Sequence, residues 1–178
     1  LDDEFAKDVS EFDTLAELKA SIKEKKQAEN EHKAKHETEN LAIEAVANDT
    51  KIDIPSGMIE TETDAMIRDM EQQLSYQGIN LAQYLNMMNM TREQVVENYK
   101  DQAEKNVKTR LILEAIVKEE KIEASQEEID SKIKEMATSY GRKEEELNKN
   151  EALKEYLANN IKTEKAIELI VKNAKMKK

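Results

Sequence analysis

The chain has 178 residues and a formal net charge of −11, and charged and apolar residues each make up 38% of it. This acidic excess argues against a nucleic-acid partner, because such a partner requires a basic face to meet its phosphates. No cysteine is present, so disulfides and thiol chemistry are excluded, which fits a reducing compartment. The N-terminus lacks the basic and apolar regions of a signal peptide, and no apolar run is as long as a membrane span. The first residue is not Met, which suggests a piece cut from a longer protein.

Helix breakers are scarce, which predicts an all-α fold. Only three glycines and one proline occur, so few positions interrupt a helix. Aromatic residues make up 4% of the chain, so its core is expected to be thin and aliphatic. The length allows one large domain or two small ones.

A long polar helix is predicted near the N-terminus. Residues 1–12 are acidic and are predicted to be a linker from a preceding domain, and Asp13 is the predicted N-cap of a helix over 13–48. Such a helix is about 50 Å long, whereas a compact globule of this size has a diameter of roughly 40 Å, so an elongated molecule is expected. The middle of the helix is polar, so packing is expected at its two ends, through Leu15, Leu18, Ile22, Leu41, Ile43 and Val46.

A first helix pair follows this long helix. Residues 51–54 are predicted to be an extended connector, and Pro55 suits the first turn of the next helix, which ends near Gly78. Thr91 and Gln94 have the spacing of a capping box for a helix that runs to about residue 120. The apolar stripes of the pair are Ile59, Met66, Met70 and Leu74, and Val95, Tyr99, Ala103, Val107 and Leu111.

A second helix pair begins with the same signal. Ser125 and Glu128 repeat the capping-box spacing, and Gly141 is expected to close the helix that follows. A final long helix ends in the basic stretch 172–178, which suits the negative pole of the helix dipole. The apolar stripes of this second pair are Ile129, Ile133, Met136 and Tyr140 on the first helix, and Leu153, Leu157, Ile161, Ile167 and Ile170 on the final helix.

The chain also partly repeats itself. Residues 41–66 share seven identical positions with residues 111–136, including a Lys-Ile-acid step after the helix, and the helix end 108–118 recurs at 162–172. Either internal duplication or the shared pattern of amphipathic helices accounts for this likeness. Both explanations predict a stack of helix–connector–helix units, and such units usually offer surfaces rather than a catalytic pocket.

Side chains that carry chemistry are few. His32 and His36 lie four residues apart on one helix face, but the Glu of a zinc-peptidase motif is missing between them and neighbouring lysines repel a cation. Exposed histidines without a ligand role are therefore expected, with an adventitious metal as the alternative. The acidic runs 127–128 and 144–146 lack the burial that raises a carboxyl pKa, so they are predicted to be solvated. No catalytic residue, metal site or cofactor is predicted.

Methionines are concentrated in one part of the chain. Six of the eight lie within residues 58–90, and Met58, Met66 and Met70 fall roughly on helical spacing, which predicts core positions. The others crowd a hairpin tip between two long helices, together with Tyr84. Methionine is flexible and polarisable and so suits varied apolar partners. Contact with a partner and a small local core both account for this tip cluster.

An ordered set of segments resembles the C-terminal domain of bacterial trigger factor. The segments are Ile52-Asp53-Ile54-Pro55, Gln77-Gly78-Ile79, Tyr84-Leu85, 103–113, 121–125 and 137–141. With the closing helix, the resemblance covers nearly the whole chain. It implies an elongated all-α domain, 13–178, with a long backbone helix, two helical-hairpin arms over 56–120 and 125–165, and the end of the closing helix at 166–178. Some periplasmic, SurA-like chaperones share this helical body.

The resemblance implies an ATP-independent, cytoplasmic chaperone that binds unfolded or nascent polypeptides through apolar patches on the arms. The arm tips would lie near residues 78–90 and 141–150. Ribosome docking and prolyl isomerase activity belong to other domains of that family, so neither is expected here. Homodimerisation through the arms stays open. The candidate client-binding residues are Leu74, Tyr76, Ile79, Leu81, Tyr84, Leu85, Met87, Met88, Met90, Met136, Tyr140 and Leu147.

A structural role is the alternative from another class. An elongated helical rod that holds flanking domains apart, or that dimerises, needs no client surface. It would bind no hydrophobic dye and would leave the aggregation of other proteins unchanged.

Overall fold

Eight helices follow one another in the computed structural model, which describes residues 2–174. The helices are α1 (Asp3–Val9), α2 (Leu15–Asp49), α3 (Ser56–Tyr76), α4 (Leu81–Met88), α5 (Arg92–Glu119), α6 (Gln126–Tyr140), α7 (Glu144–Asn148) and α8 (Glu151–Asn173). No strand occurs in this part of the chain, so the all-α prediction is confirmed. None of these helices is long and apolar enough to cross a membrane. The chain divides into two compact units, with the boundary after Ala42.

The first unit contains α1 and most of α2. Residues 3–9 of the predicted linker are helical, because Asp2 caps α1 by accepting a hydrogen bond from the N–H of Phe5 at 3.1 Å. Asp13 was expected to cap the long helix, and this is wrong. The cap is Thr14, whose hydroxyl accepts from the N–H of Glu17 at 3.2 Å while the Glu17 carboxylate accepts from the N–H of Thr14 at 3.1 Å.

No residue of α2 is buried, although the helix has 35 residues. Packing was expected at both of its ends, but Ile22 and Leu41 are exposed, so that prediction is wrong for these two side chains. Charge pairs form along the polar surface of α2: Lys33 lies 2.6 Å from Glu29, and Lys35 lies 3.7 Å from Glu39. Exposed pairs of this spacing each contribute only a few tenths of a kcal/mol. Because none of its residues is buried, α2 is a largely solvated helix.

In the second unit, α3, α4 and α5 form the first arm. Helices α3 and α5 pack against each other in antiparallel directions. Arg110 forms an ion pair with Glu62 at 3.0 Å, and the Tyr99 hydroxyl donates a hydrogen bond to the sulfur of Met70 at 3.6 Å. The sulfur of Met66 accepts from Asn106 in between, at 3.7 Å. Met58, Met66 and Met70 are half-buried and do not belong to the fully buried core, so their predicted core positions are only partly realised. Buried side chains of this arm include Ile67, Leu74, Val95, Ala103 and Val107.

The second arm consists of α6, α7 and α8. Its core cluster joins Ile129 and Ile133 of α6 to Leu157 and Ile161 of α8, as the stripes predict. The short helix α7 was not predicted; it contacts both neighbours, and Leu147 packs against the cluster. Helix α8 also packs against α5, which joins the two arms within the second unit.

Specific end signals fix where the helices of the arms begin and end. The predicted capping boxes of Thr91 with Gln94 and of Ser125 with Glu128 are both present, and Asn80 with Gln83 forms a third. At the end of α3, Gly78 adopts a φ of 75° and the N–H of Ile79 donates to the carbonyl of Leu74. This bond is the signature of a Schellman turn, which satisfies carbonyl groups that the helix leaves free.

In the two copies of the sequence repeat, the helices begin and end at equivalent positions, but the connectors between them differ in conformation. Helices α2 and α5 end 70 residues apart, at Asp49 and Glu119, and the following helices also begin 70 residues apart. After α5, Lys121 adopts a φ of 53° and the N–H of Ile122 donates to Val117, which closes a Schellman turn. After α2 no such turn forms, and residues 50–55 have no regular secondary structure. Proline favours an extended residue before it, so one Lys-Ile-acid step has two conformations.

The two repeated lysines provide a matched stability test. We expect Lys121→Gly to raise the free energy of unfolding by about 0.5–1 kcal/mol, because a left-handed backbone disfavours any residue with a Cβ atom. Lys51→Gly should give no gain, because Lys51 lacks the positive φ and glycine adds entropy to the unfolded chain. Urea unfolding followed by circular dichroism measures both. Equal effects of the two substitutions would contradict the conformational difference.

The base of the second arm provides a pH test. The Lys165 ammonium group donates to the Glu128 carboxylate at 2.7 Å and to the carbonyl of Glu123 at 2.8 Å. The lysine, and then the N–H of Ser125, lower the pKa of Glu128 from 4.5 to about 2. The folded state therefore holds the proton less tightly than the unfolded state. The resulting stability is complete above pH 4.5 and is lost as the pH falls towards 2.

We expect Lys165→Met to lower the Tm at pH 7, and the difference from the unmodified chain to shrink between pH 4.5 and pH 2. Lys132→Met is the matched control, because Lys132 forms a more exposed pair with Glu164 across the same two helices, at 3.4 Å. Exposed pairs contribute little, so this control should change the Tm less. A pH-independent loss in Lys165→Met would show that the lysine acts only by packing.

Candidate functional site

The turns at the end of each arm are the candidate site. In the first arm, α4 and its two flanking turns connect α3 to α5, and Asn89 ends α4 in a left-handed conformation with a φ of 52°. The N–H of Met90 then donates to the carbonyl of Leu85. These bonds and the two capping boxes give the tip a defined backbone.

Large apolar side chains are most exposed at these tips. Among the large apolar residues of the described chain, the three highest exposures are 81% for Tyr76, 75% for Met87 and 73% for Tyr140. Met88 is 54% exposed beside Met87. Tyr76 and Tyr140 are the last residues of α3 and α6, and the two methionines end α4. Four predicted site residues are therefore open to solvent at helix ends of the two arms.

Other predicted site residues contribute to packing instead. Leu74 is 8% exposed and belongs to the core of the first arm. Met136 and Leu147 pack against the core cluster of the second arm. The remaining five are half-buried around α4, namely Ile79, Leu81, Tyr84, Leu85 and Met90. The tip of the first arm thus has half-buried apolar side chains around α4, while Tyr76, Met87 and Met88 are exposed.

Sequence reasoning missed Tyr156, which is 62% exposed on α8. The two antiparallel contacts of Lys165 with Glu128 and of Lys132 with Glu164 fix the register of α8 against α6. Tyr156 lies in the second turn of α8, the helix that follows the tip of the second arm. Its position outside the stripe of Leu153, Leu157 and Ile161 was a signal available in the sequence.

The ionisable groups of the arms give no sign of acid–base catalysis. Glu128, predicted to be solvated, is held by Lys165, and its pKa shifts down to about 2 rather than up towards neutrality. The pKa of Glu93 is also lowered, by its own backbone N–H and by the Thr91 hydroxyl at the start of α5. Both carboxylates therefore stabilise helix N-termini, and they stay ionised at neutral pH.

Known proteins with similar sequences share this helical architecture. The sequence profile described as the C-terminus of the bacterial trigger factor protein matches residues 14–172. The chain belongs to the trigger factor family. It is 46% identical over 178 residues to trigger factor of Clostridium botulinum strain Loch Maree, and 44% identical over 176 residues to that of Clostridioides difficile strain 630. Each alignment covers 98% of this chain but 41% of the relative, so the chain spans less than half of those trigger factors.

Two solved trigger factor structures share the fold. One comes from work on promiscuous substrate recognition in the folding and assembly activities of the trigger factor chaperone. Its TM-score is 0.57 and its sequence identity is 21%, and the alignment covers 97% of this chain and 42% of that chain. The other contains domains of trigger factor from Thermotoga maritima; its TM-score is 0.59, with 18% identity and coverage of 79% and 83%. At these identities the likeness concerns the fold, and it supports the all-α trigger factor C-terminal architecture.

A truncation inside the tip should separate packing residues from surface residues. We expect Leu74→Ala to lower the free energy of unfolding by roughly 2–5 kcal/mol, because it removes buried methyl groups and leaves a cavity. Met87→Ser should change it by less than about 0.5 kcal/mol, because that side chain is exposed. Urea unfolding measures both variants. Similar losses in the two would show that Met87 belongs to the core.

Proposed function

We propose that this chain is an ATP-independent chaperone module that binds unfolded or nascent polypeptides through the exposed apolar tips of its two arms. The observation that carries the proposal is that Tyr76, Met87 and Tyr140 are the most exposed large apolar side chains among residues 2–174. Family membership supports it, because a trigger factor structure was studied for promiscuous substrate recognition. We further propose that the module acts in the bacterial cytoplasm.

The chemistry of the tips suits weak and varied partners. Burying one methionine or aromatic side chain contributes about 1.5–3 kcal/mol before ordering costs are subtracted. One tip alone therefore holds an unfolded segment weakly, whereas two tips on one chain raise the apparent affinity through their effective concentration. Flexible methionines adapt to different client side chains. The net charge of −11 favours basic or neutral clients and disfavours nucleic acid.

The proposed role of this chain is binding without catalysis. The proposal assigns prolyl isomerisation and ribosome docking to other parts of the full-length relatives, since this chain spans 41% of them. It requires no cofactor. Homodimerisation through the arms would compete with client binding, because both would use the same exposed tips.

Replacing the tip residues should weaken client protection without unfolding the arms. We expect Met87→Ser with Met88→Ser, and separately Tyr140→Ser with Tyr156→Ser, each to reduce suppression of the aggregation of an unfolded model protein. The measurement is light scattering at near-stoichiometric ratios without nucleotide, together with the mass of the chain itself. Helicity and Tm should stay unchanged, because all four side chains are at least half exposed.

A matched double variant controls for the loss of exposed apolar area in general. Val9→Ser with Leu41→Ser removes two side chains that are 57% and 60% exposed in the first unit, which contains neither tip. We expect it to protect clients as well as the unmodified chain does. Equal loss in this control would move client binding away from the tips. No protection by the well-folded unmodified chain would favour the structural spacer.

A further inference from the structure

The two histidines of the chain form a contacting pair in the middle of α2. His32 and His36 are one turn apart, their ring centroids are 4.3 Å apart, and the ring planes meet at 73°. The two Nε2 atoms lie 3.2 Å from each other. Both residues are exposed, and α2 buries no residue. The pair belongs to the first unit, and neither histidine is among the proposed client-binding residues.

From this geometry we propose that His32 and His36 chelate a divalent transition-metal ion of the zinc, nickel or copper type. A metal bound at 2.0–2.1 Å by two imidazole nitrogens separates them by about 2.9 Å at right angles and about 3.4 Å in a tetrahedral arrangement. The observed separation of 3.2 Å lies within this interval. Without metal, one Nε2 atom donates its proton to the other. A metal bound to both nitrogens would displace that proton and lie to one side of the line that joins them, so the rings would turn to direct their lone pairs at it.

The environment of His36 favours this role. Its Nδ1 atom lies 3.0 Å from the carboxylate of Glu39, whose side chain is only 17% exposed. An Nδ1–H that donates to a carboxylate leaves the Nε2 lone pair free for a metal and makes it more basic, as in carboxylate–histidine–zinc arrangements. Glu39 is one turn further along the same helix face and acts here as a positioning residue.

The neighbouring lysines are already neutralised. Lys33 is paired with Glu29 at 2.6 Å, and Lys35 approaches Glu39 at 3.7 Å. The repulsion expected from the sequence is therefore reduced. No group of three or more His, Cys, Asp or Glu side chains in residues 2–174 is arranged to hold a metal ion. The site offers two protein ligands, and water completes the coordination, so binding is exchangeable and prefers nitrogen-seeking ions over Mg²⁺ or Ca²⁺.

Calorimetric titration of the untagged chain with Ni²⁺ and with Zn²⁺ tests the proposal. We expect one ion per chain, no binding of Mg²⁺ under the same conditions, and at least tenfold weaker binding in His32→Ala and in His36→Ala. The double variant should bind no more weakly than either single variant, because a chelate fails once one ligand is lost. Glu39→Gln should weaken binding about tenfold, since loss of such a partner typically costs 10–100-fold.

A variant with relocated histidine separates chelation from simple histidine content. Ala34→His with His36→Ala keeps two histidines but places them two residues apart, on opposite sides of the helix. We expect binding as weak as in His36→Ala, with unchanged helicity. Binding by the relocated variant as tight as in the unmodified chain would overturn the proposal. Full binding in both single histidine variants would also overturn it, and would assign the metal to surface carboxylates.

Discussion

The structure depends on burying thin aliphatic stripes between pairs of long helices. Aromatic residues are scarce, and the core of each arm consists mainly of Ile, Leu, Val and Ala side chains facing one partner helix. Such a two-helix contact covers one face of each helix and leaves the connecting turns without a neighbour to cover them. The apolar residues at those turns are therefore either half-buried, as Tyr84 and Leu85 are, or exposed to water, as Met87 is. The proposed client surface follows from this limit on packing.

Capping boxes and helix-ending turns define where each of the paired helices begins and ends. Three capping boxes and the turns at Gly78, Lys121 and Gly141 set the lengths of the paired helices, and so decide which side chains lie beyond the last packed layer. Leu74 is inside that layer and Tyr76, two residues later, is outside it. The charge pair of Lys165 with Glu128 acts at the opposite end of the second arm, where it holds the start of α6 against α8.

Helix α2 follows a different rule. It has no buried side chain and is supported by contacts one turn apart along its own surface, such as Lys33 with Glu29. A metal across His32 and His36 would add one more contact of this kind, and one that can be filled or emptied. The client-binding proposal thus concerns the packed helices of the arms, which have exposed apolar side chains at their ends. The metal-binding proposal concerns the solvated helix α2, whose polar side chains lie one turn apart.

The sequence by itself determined the helices, because periodicity, caps and the scarcity of Gly and Pro are local properties. It predicted the all-α class, the capping boxes at the start of α5 and α6, and the stripes around Val107, Ile133 and Leu157. Tertiary structure alone decided which tip residues are accessible, since Leu74 and Met87 are both apolar but only Leu74 faces a partner helix. The partner of Glu128 also depends on the register between helices. That register is set by side chains far apart in the chain, so no local pattern contains it.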